Sequence, residues 1–505
     1  MGLVETKATF EASASGKGIR TGEQYLVGLR DGREVWTRGA RVEDVTREPG
    51  MARGAATLAG FLDNQHKDEF RDRVTYVDDD GDRCAMAYKM PKSAEDVVAR
   101  GKAYYEWAKW SNGMFGRTPD YKNASLMAFA SGSKFLEQGV KGPWGDNAGK
   151  AMAENMVNFY NYARKNDKVL THTLVNPAFN HSQAASGKYS EKVALHVVKE
   201  TDAGIIVNGA RLLATLGPFA DEIEVFPSTV LRGSEDNVPF AFAFALPIAT
   251  PGMKLICRDS YDEGKSNFDA PLASRYEEMD AVVIFENVLV PWERVFMYAQ
   301  PELCNQAFNA TNAVVHMMHQ VACGKLAKSE FMVGLMCAIA KATGRDKDLH
   351  TKGLIAEVMQ MTETVRALLF SAEAQAHEDE FGNFIPLRGP IDTSRNMFPK
   401  MYPRMVEILQ LIGSSSLMAT PTEADFSNDM APDVEQYFQL ANMDSRDRVA
   451  LYRLAHDVAI SGFGSRQALY ERFFFGPPAL MASAYYDLYS KDNLIDRVDS
   501  LLASN

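Results

Sequence analysis

The hydrophobic periodicity of the chain changes twice, and this order limits the folds that the chain can adopt. Apolar residues recur with a helical period over residues 21–162, the pattern becomes that of β-strands over residues 170–296, and the helical period then returns. This order predicts an α+β protein with an N-terminal helical domain, a middle antiparallel β domain and a C-terminal helical bundle. We place the three domains at residues 1–168, 169–299 and 300–505.

Capping signals and long apolar faces support the helical assignments. Ser93 and Asp96 suit a capping box at the start of one helix, and Asn112 with Gly113 predicts its end. A second helix is expected to begin near Ala124. In the last part, four long amphipathic segments predict a bundle at residues 312–343, 354–377, 394–412 and 445–461.

The middle part contains short β-rich runs separated by turn residues. Within "GIIVNGARLLAT", Asn208 and Gly209 stand between two apolar runs, a pattern typical of a two-residue hairpin. The runs that follow predict an antiparallel barrel or sandwich.

Composition excludes several classes of protein. The net charge is −12 and no dense Lys/Arg stretch occurs, which argues against binding to nucleic acid or to an anionic membrane. No apolar run approaches the ~20 residues that span a bilayer. The five cysteines are odd in number and show no C-x-x-C spacing, so we expect reduced thiols in a cytoplasmic protein.

Familiar cofactor signatures are missing from the sequence. There is no G-x-G-x-x-G, because the nearest stretch, "GFGSRQ", has Gln467 at the third glycine position and does not follow a strand. There is also no Walker loop and no H-E-x-x-H. If the protein is a redox enzyme, its electrons therefore come from elsewhere.

The stretch "FGRTPDYKNA" places a guanidinium, a proline turn and a phenol within a few residues. It is either a polar loop or one wall of a small-molecule site. In "LTHTLVNPAFNH", His172 lies at the junction of helical and β regions and is either a ligand contact or an ordinary strand histidine. His316 and His319 share one helix face, where a titrating histidine is better supported than a metal pair, for want of nearby carboxylates.

Two glycine-rich stretches are compatible with a bound phosphate. Gly413 ends a helical pattern before three serines, and Gly464, Ser465 and Arg466 stand beside another. Backbone N–H groups at such places can hold phosphate oxygens, although glycine also simply terminates helices. Arg466 is expected to meet either a pyrophosphate or a carboxylate.

Several stretches occur in a specific order: "GRTPDYKNA", "THTLVNP", "GIIVNGARLLAT", "VFPST", "EEMDAVVIFENVLVPWERVF", "HQVA" and "FGSRQALYERFFFG". The chain resembles, from Gly22 to about Gly476, the oxygenase component of the 4-hydroxyphenylacetate 3-monooxygenase family, which includes chlorophenol and nitrophenol monooxygenases. This resemblance implies the acyl-CoA dehydrogenase-like architecture and a two-component enzyme. In such an enzyme, the resemblance implies, a separate NAD(P)H:flavin reductase supplies FADH2, and a C4a-hydroperoxyflavin hydroxylates a phenol ortho to its hydroxyl. It also implies a homotetramer.

The resemblance assigns roles residue by residue. It places Arg117, Tyr121, His172 and His319 among the catalytic residues, with His319 matching the phenol base of the chlorophenol branch. It implies that Ser228 and Thr229 line the substrate pocket beside the first three. It implies FAD contacts at His172, Thr173, Leu174, Ala178, Phe179, Asn180, His181, Thr215, Gly413, Gly464, Ser465, Arg466 and Gln467. His181 departs from the family, which has arginine at this position.

Three alternatives stay open. The same mechanism can displace a halide or a nitro group from the ring. A radical dehydratase that acts on 4-hydroxybutyryl-CoA shares the fold, and His316 and Cys323 have a suggestive spacing. However, Arg117 and Tyr121 stand where that enzyme needs two cysteines, and we predict no metal ligands. A non-catalytic scaffold is the third alternative.

Overall fold

The computed structural model describes residues 16–179, 189–227, 231 and 235–503. Helices dominate the first and last parts of the described chain, and strands dominate the middle. The α+β class and the order of its parts agree with the prediction. In this described part, no helix is both long enough and apolar enough to span a membrane.

The first part is mostly helical but contributes four short strands. Its helices are α1 (Gly22–Gly28), α2 (Ala52–Asn64), α3 (Asp68–Val74), α4 (Ala94–Lys109), α5 (Pro119–Ser131) and α6 (Ala148–Lys165). Its strands are β1 (Val35–Thr37), β2 (Ala40–Val42), β3 (Thr75–Val77) and β4 (Arg83–Ala85).

The middle part contains the longer strands and one short helix. The strands are β5 (Leu170–Thr173), β6 (His196–Thr201), β7 (Gly204–Thr215), β8 (Glu222–Val225), β9 (Phe242–Pro247), β10 (Met253–Cys257), β11 (Asp280–Pro291) and β12 (Val295–Tyr298). The helix is α7 (Ala273–Tyr276).

The last part is a helical bundle with a C-terminal extension. Its helices are α8 (Pro301–Ala310), α9 (Ala313–Ala342), α10 (Leu349–Ala374), α11 (Arg388–Gly413), α12 (Ala431–Tyr437), α13 (Ser445–Ala459), α14 (Gly462–Phe473), α15 (Pro478–Leu488) and α16 (Asp492–Ala503). A small hairpin joins β13 (His377–Glu378) to β14 (Phe384–Ile385). The four predicted bundle segments correspond to α9, α10, α11 and α13.

The ends of α4 follow the predicted capping signals. The Ser93 hydroxyl accepts a hydrogen bond from the Asp96 N–H at 3.2 Å. Beyond the helix, Asn112 and Gly113 have φ angles of 52° and 69°. A Cβ at Gly113 would lie only 2.7 Å from the backbone of Lys328, so glycine allows the loop after α4 to approach α9.

The loop predicted before Ala124 is shorter than expected, because α5 begins at Pro119. Thr118 is extended and Pro119 occupies the first helical turn, where its missing N–H costs nothing. Tyr121 therefore projects from a helix, whereas Arg117 lies in the loop before it.

Two sheets form the β region. One has the strand order β2-β1-β10-β11-β7-β6 and the other has the order β12-β9-β8-β5. Most pairs are antiparallel, as predicted, but β1 pairs with β10 and β5 pairs with β8 in parallel. Since β1 and β2 belong to the first 168 residues, the sheet also crosses the predicted domain boundary.

The predicted hairpin at Asn208 and Gly209 is wrong, because β7 runs continuously through both residues. Instead, β6 and β7 form a hairpin whose turn lies between Thr201 and Gly204. Gly209 has φ 118°, and a Cβ there would lie 2.4 Å from the carbonyl oxygen of Ala194. Gly209 therefore allows β7 to pass close to the backbone of Ala194, and it does not form a turn.

Candidate active site

Arg117, Tyr121 and His172 lie together where α5 packs against β5. The ring centroids of Tyr121 and His172 are 5.9 Å apart. The guanidinium carbon of Arg117 lies 4.2 Å from the centroid of the Tyr121 ring. The structure thus brings together three of the five residues that were predicted to bind the substrate, and the other two, Ser228 and Thr229, lie outside the described residues.

The guanidinium of Arg117 lies between two aromatic rings. On its other side, the centroid of the Phe474 ring is 4.1 Å from the guanidinium carbon. Nε and Nη1 of Arg117 are buried and make no hydrogen bond to the residues that the structure describes. A cation with buried N–H groups left unpaired is prepared for an anionic ligand oxygen.

His172 is held neutral by its surroundings. The residue is partly exposed, but burial of its imidazole lowers the pKa well below 6.5, and the cations Lys122 and Arg117 lower it further. Lys122 itself forms a buried ion pair with Glu224, with Nζ and Oε2 2.5 Å apart. A neutral imidazole keeps one nitrogen lone pair with which it can accept a proton.

Glu278 holds the loop that carries Arg117. One carboxylate oxygen accepts the Arg117 backbone N–H at 2.6 Å, and the other pairs with Arg466 on α14. The Tyr470 hydroxyl, also on α14, donates to the Gly116 carbonyl at 2.9 Å. The position of Arg117 therefore depends on contacts with α14 and with the chain just before β11.

Two of the predicted flavin contacts are threonines in the β region. The Thr173 hydroxyl donates to the Leu212 carbonyl at 2.7 Å, and the Thr215 hydroxyl donates to Asp280 Oδ1 at 2.6 Å. Each hydroxyl oxygen still has lone pairs with which it can accept a hydrogen bond.

The chain after β5 also contains candidate flavin contacts. Ala178 is partly exposed, and Phe179 has 63% of its surface exposed. Asn176, by contrast, is buried, and both its amide oxygen and its amide nitrogen lack a partner among the described residues. An amide that offers N–H donors beside a carbonyl acceptor matches the alternating carbonyl and N–H groups of a flavin pyrimidine ring, so the segment fits FAD.

The predicted contacts on α14 have protein partners. Arg466 forms ion pairs with the carboxylates of Glu278 and Asp280, which is one of its two expected roles. The buried Gln467 amide donates to the Met114 carbonyl at 2.8 Å. Gly464 is buried, whereas Ser465 is exposed. This helix therefore positions the loop before Arg117, and Ser465 is its exposed polar group.

His319 does not contact Arg117, Tyr121 or His172 in the described structure. Its Nε2 lies 2.8 Å from Glu373 Oε1, and its ring meets that of Tyr104 edge-on at 5.5 Å. Neighbouring residues of a helix point about 100° apart. It is the next residue, Gln320, whose amide reaches Thr118 and Asp120 beside the site.

One cluster of metal-ligating side chains has no counterpart in the sequence predictions. His319, Cys323 and Glu373 offer ligand atoms within 4.8 Å of one another. The sequence drew attention to His316, but its Nδ1 lies 3.0 Å from Arg100 Nη1. Glu373 is far from both histidines in sequence, because it lies on α10 while they lie on α9.

The remaining predicted residues lie apart from this site or outside the described chain. Gly413 ends α11, where a Cβ would meet the side chain of Leu417, and it has no described contact with Arg117 or His172. The residues outside the described range are Asn180, His181, Ser228 and Thr229.

Sequence reasoning also missed residues that support the site. Lys122 and Glu278 both occur in stretches that carry the family resemblance, but only their contacts reveal what they hold. Phe474 is more than 300 residues from Arg117 in sequence, and no local pattern could have paired them.

Two family models match most of the chain. The one described as 4-hydroxyphenylacetate 3-hydroxylase N terminal matches residues 21–297, and the one described as its C terminal matches residues 304–503.

Curated relatives match over nearly the same length. The chain is 42% identical over 484 residues to the 4-hydroxyphenylacetate 3-monooxygenase oxygenase component of Thermus thermophilus, covering 96% of this chain and 97% of that protein. It is 32% identical over 466 residues to the oxygenase component of a Rhodococcus 4-nitrophenol 2-monooxygenase, covering 90% and 86%.

Solved structures show the same fold. A 4-hydroxyphenylacetate 3-monooxygenase oxygenase component, crystallised with FAD and 4-hydroxyphenylacetate, is 42% identical with a TM-score of 0.90, covering 96% of this chain and 98% of that one. An archaeal 4-hydroxybutyryl-CoA dehydratase has a TM-score of 0.84 at 18% identity, covering 96% and 95%, which is a likeness of fold alone.

Proposed function

The chain belongs to the 4-hydroxyphenylacetate 3-hydroxylase family, and from this premise we propose that it is the oxygenase component of an FAD-dependent aromatic monooxygenase. It hydroxylates a phenol ortho to the existing hydroxyl group. The electrons come from a separate NAD(P)H:flavin reductase. The observation that carries this proposal is the Arg117 guanidinium, which has unpaired buried N–H groups beside Tyr121 and His172.

Arg117 binds the phenolic oxygen as its anion. A free phenol has a pKa of about 10, so little phenolate exists at neutral pH without help. A phenolate is a better electron donor than a phenol, and the ring must donate electrons to the incoming oxygen. The fixed charge of Arg117 favours the phenolate, and Tyr121 contributes a phenolic O–H from the adjacent helix.

His172 accepts the phenolic proton at an imidazole nitrogen. Because its pKa lies well below 6.5, the partly exposed imidazole then releases the proton to solvent and is neutral again. We assign this role to His172 and not to His319, because His172 neighbours Tyr121 while His319 is bonded to Glu373.

FAD is held along the chain after β5 and beside β7. The residues proposed to contact it there are His172, Thr173, Leu174, Asn176, Ala178, Phe179 and Thr215, with Ser465 on α14. By resemblance, Asn180 and His181 contact FAD as well, and Ser228 and Thr229 line the phenol pocket. Reduced FAD, when bound, supplies two electrons, so that one atom of O2 enters the ring and the other is reduced to water. The packed rings of Tyr121 and Phe474 exclude water from the proposed phenol site beside Arg117.

We also propose that the enzyme is a homotetramer. Helices α15 and α16 have no buried residue, and their apolar side chains are exposed, as at Leu480, Tyr486, Val498 and Leu502. Such faces need burial against another subunit. Gly413 is proposed to reach the flavin of a neighbouring subunit. Light scattering on the active enzyme tests the assembly, and an active monomer would contradict it.

One assay tests the function directly. The purified chain is mixed with chemically reduced FAD, O2 and a panel of phenols, and products are identified by mass. We expect a gain of one oxygen atom on a phenolic ring. A 4-nitrophenol arm with nitrite detection tests the alternative of denitration. NADH with oxidised FAD is the control and should consume no O2 until a reductase is added. Turnover of NADH without a reductase, or no product from any phenol, would contradict the proposal.

A further inference from the structure

Two arginines differ from the others in the described chain, because each has two buried guanidinium nitrogens without a hydrogen-bond partner. One is Arg117, and the other is Arg211 on β7, where Nε and Nη2 are unpaired. Arg211 is 0% exposed. A buried cation whose N–H groups are not satisfied is destabilising unless a ligand completes it.

The surroundings of Arg211 do not neutralise its charge. Its Nη1 donates to the Leu174 carbonyl at 2.8 Å, and its guanidinium carbon lies 5.4 Å from the Phe242 ring centroid. It forms no ion pair with a carboxylate of the described residues, and its ionisable neighbours there are Tyr189 and Cys304. Burial accordingly lowers the pKa of Arg211 to about 10.

Arg211 is connected to the proposed phenol site through one short stretch of chain. Leu174, which accepts its hydrogen bond, follows His172 by two residues. In extended chain two residues span about 7 Å, a distance comparable to that between a phenolic oxygen and an acid group on the opposite side of the ring. Arg211 thus contacts one end of that stretch, and the other end, His172, packs beside Tyr121, whose ring carries the Arg117 guanidinium.

We propose that Arg211 binds an anionic substituent of the phenolic substrate and selects phenols that carry a carboxylate over neutral phenols. Arg117 binds one end of the substrate as phenolate, and Arg211 binds the other end. The inference rests on the proposed function for the identity of the ligand. The same chemistry could instead bind an anionic group of the flavin, so the experiment measures both ligands.

The test compares 4-hydroxyphenylacetate with its neutral isostere 4-hydroxyphenylacetamide. Wild type, Arg211→Met and Arg211→Lys are supplied with chemically reduced FAD, and kcat/KM is measured for both compounds. We expect Arg211→Met to reduce the preference for the acid by about 10- to 100-fold, as for loss of one charge-assisted hydrogen bond. Lys should retain part of the preference, because it keeps the charge but not the planar fork.

A matched control is Arg33, a buried arginine whose charge is compensated. It pairs with Asp31 and donates to the carbonyls of Pro218 and Ala220. Arg33→Gln should lower thermal stability without changing the preference for the acid. Arg211→Met, in contrast, should not lower the thermal stability of the ligand-free enzyme, since it removes an unpaired buried charge.

Binding measurements separate this inference from the proposed function. Calorimetry of the acid and the amide needs no turnover, and FAD affinity is measured for the same variants by fluorescence. If wild type prefers the acid in binding and Arg211→Met does not, the inference stands even if no phenol is hydroxylated. An unchanged preference in Arg211→Met, or a loss confined to FAD affinity, would overturn it.

Discussion

The backbone N–H of Arg117 donates a 2.6 Å hydrogen bond to the carboxylate of Glu278, which is 1% exposed. The other oxygen of Glu278 pairs with Arg466. One carboxylate thus joins the loop before α5 to α14, and the position of the Arg117 guanidinium depends on both contacts.

We expect Glu278→Ala to reduce kcat/KM for a phenol by about tenfold or more, because the loop loses its acceptor. Glu278→Gln should have a smaller effect, since the amide oxygen can still accept the Arg117 N–H. Steady-state kinetics with reduced FAD measures both variants, and circular dichroism checks that they fold. Equal activity of the Ala variant and wild type would show that Glu278 does not position Arg117.

Arg117→Lys should lower product formation by roughly 10- to 100-fold while the fold is retained. Lysine keeps the charge but loses the fork between the Tyr121 and Phe474 rings, and a charge-assisted bond contributes about 1.5–3 kcal/mol. Product yield per turnover of reduced FAD is the measurement. An Arg117→Ala variant that hydroxylates at the wild-type rate would contradict the assignment.

The ion pair behind His172 should set the pH range of activity. Lys122 lowers the pKa of His172, so its removal should raise that pKa and move the acid limb of kcat/KM to higher pH. The double variant Lys122→Met with Glu224→Gln removes both charges and avoids an unpaired buried carboxylate. Its pH profile is compared with wild type, and an unmoved acid limb would remove His172 from the proton path.

Stability should fall in mild acid because buried histidines are neutral in the folded chain. Burial lowers the pKa of His316 well below 6.5, so below pH 6.5 the unfolded chain binds a proton that the folded chain does not. Such a group reduces the free energy of unfolding by about 1.4 kcal/mol per pH unit as the pH falls. Chemical denaturation between pH 7 and 5 measures this slope. His316→Gln cannot titrate and should show a shallower slope, and an identical slope would refute the assignment.

His319→Asn should leave hydroxylation coupled to oxygen consumption at pH 7. The histidine is bonded to Glu373 and packed on Tyr104, so its loss should lower the melting temperature and not increase H2O2 release. A peroxide assay and a thermal melt distinguish the two effects. Increased H2O2 with unchanged stability would return the base role to His319, as the family resemblance implies.

Local patterns in the sequence determined the helices and the order of the three parts. Helical periodicity identified α9, α10, α11 and α13, because each buries a continuous apolar face that repeats along the chain. Ser93 and Gly113 marked the ends of α4, because a capping residue acts within one turn of the helix end and is therefore a local signal. The motifs that carry the family resemblance also named Arg117, Tyr121 and His172.

Tertiary structure alone decided which strands pair and what holds the site. The sequence wrongly indicated a turn at Asn208 and Gly209, because the same dipeptide also permits the close approach to Ala194. Phe474 beside Arg117 and the unpaired guanidinium of Arg211 are consequences of packing between distant segments. Hydrophobic periodicity specifies which face of an element is buried but not what it is buried against, so the charges that meet there are decided by the fold.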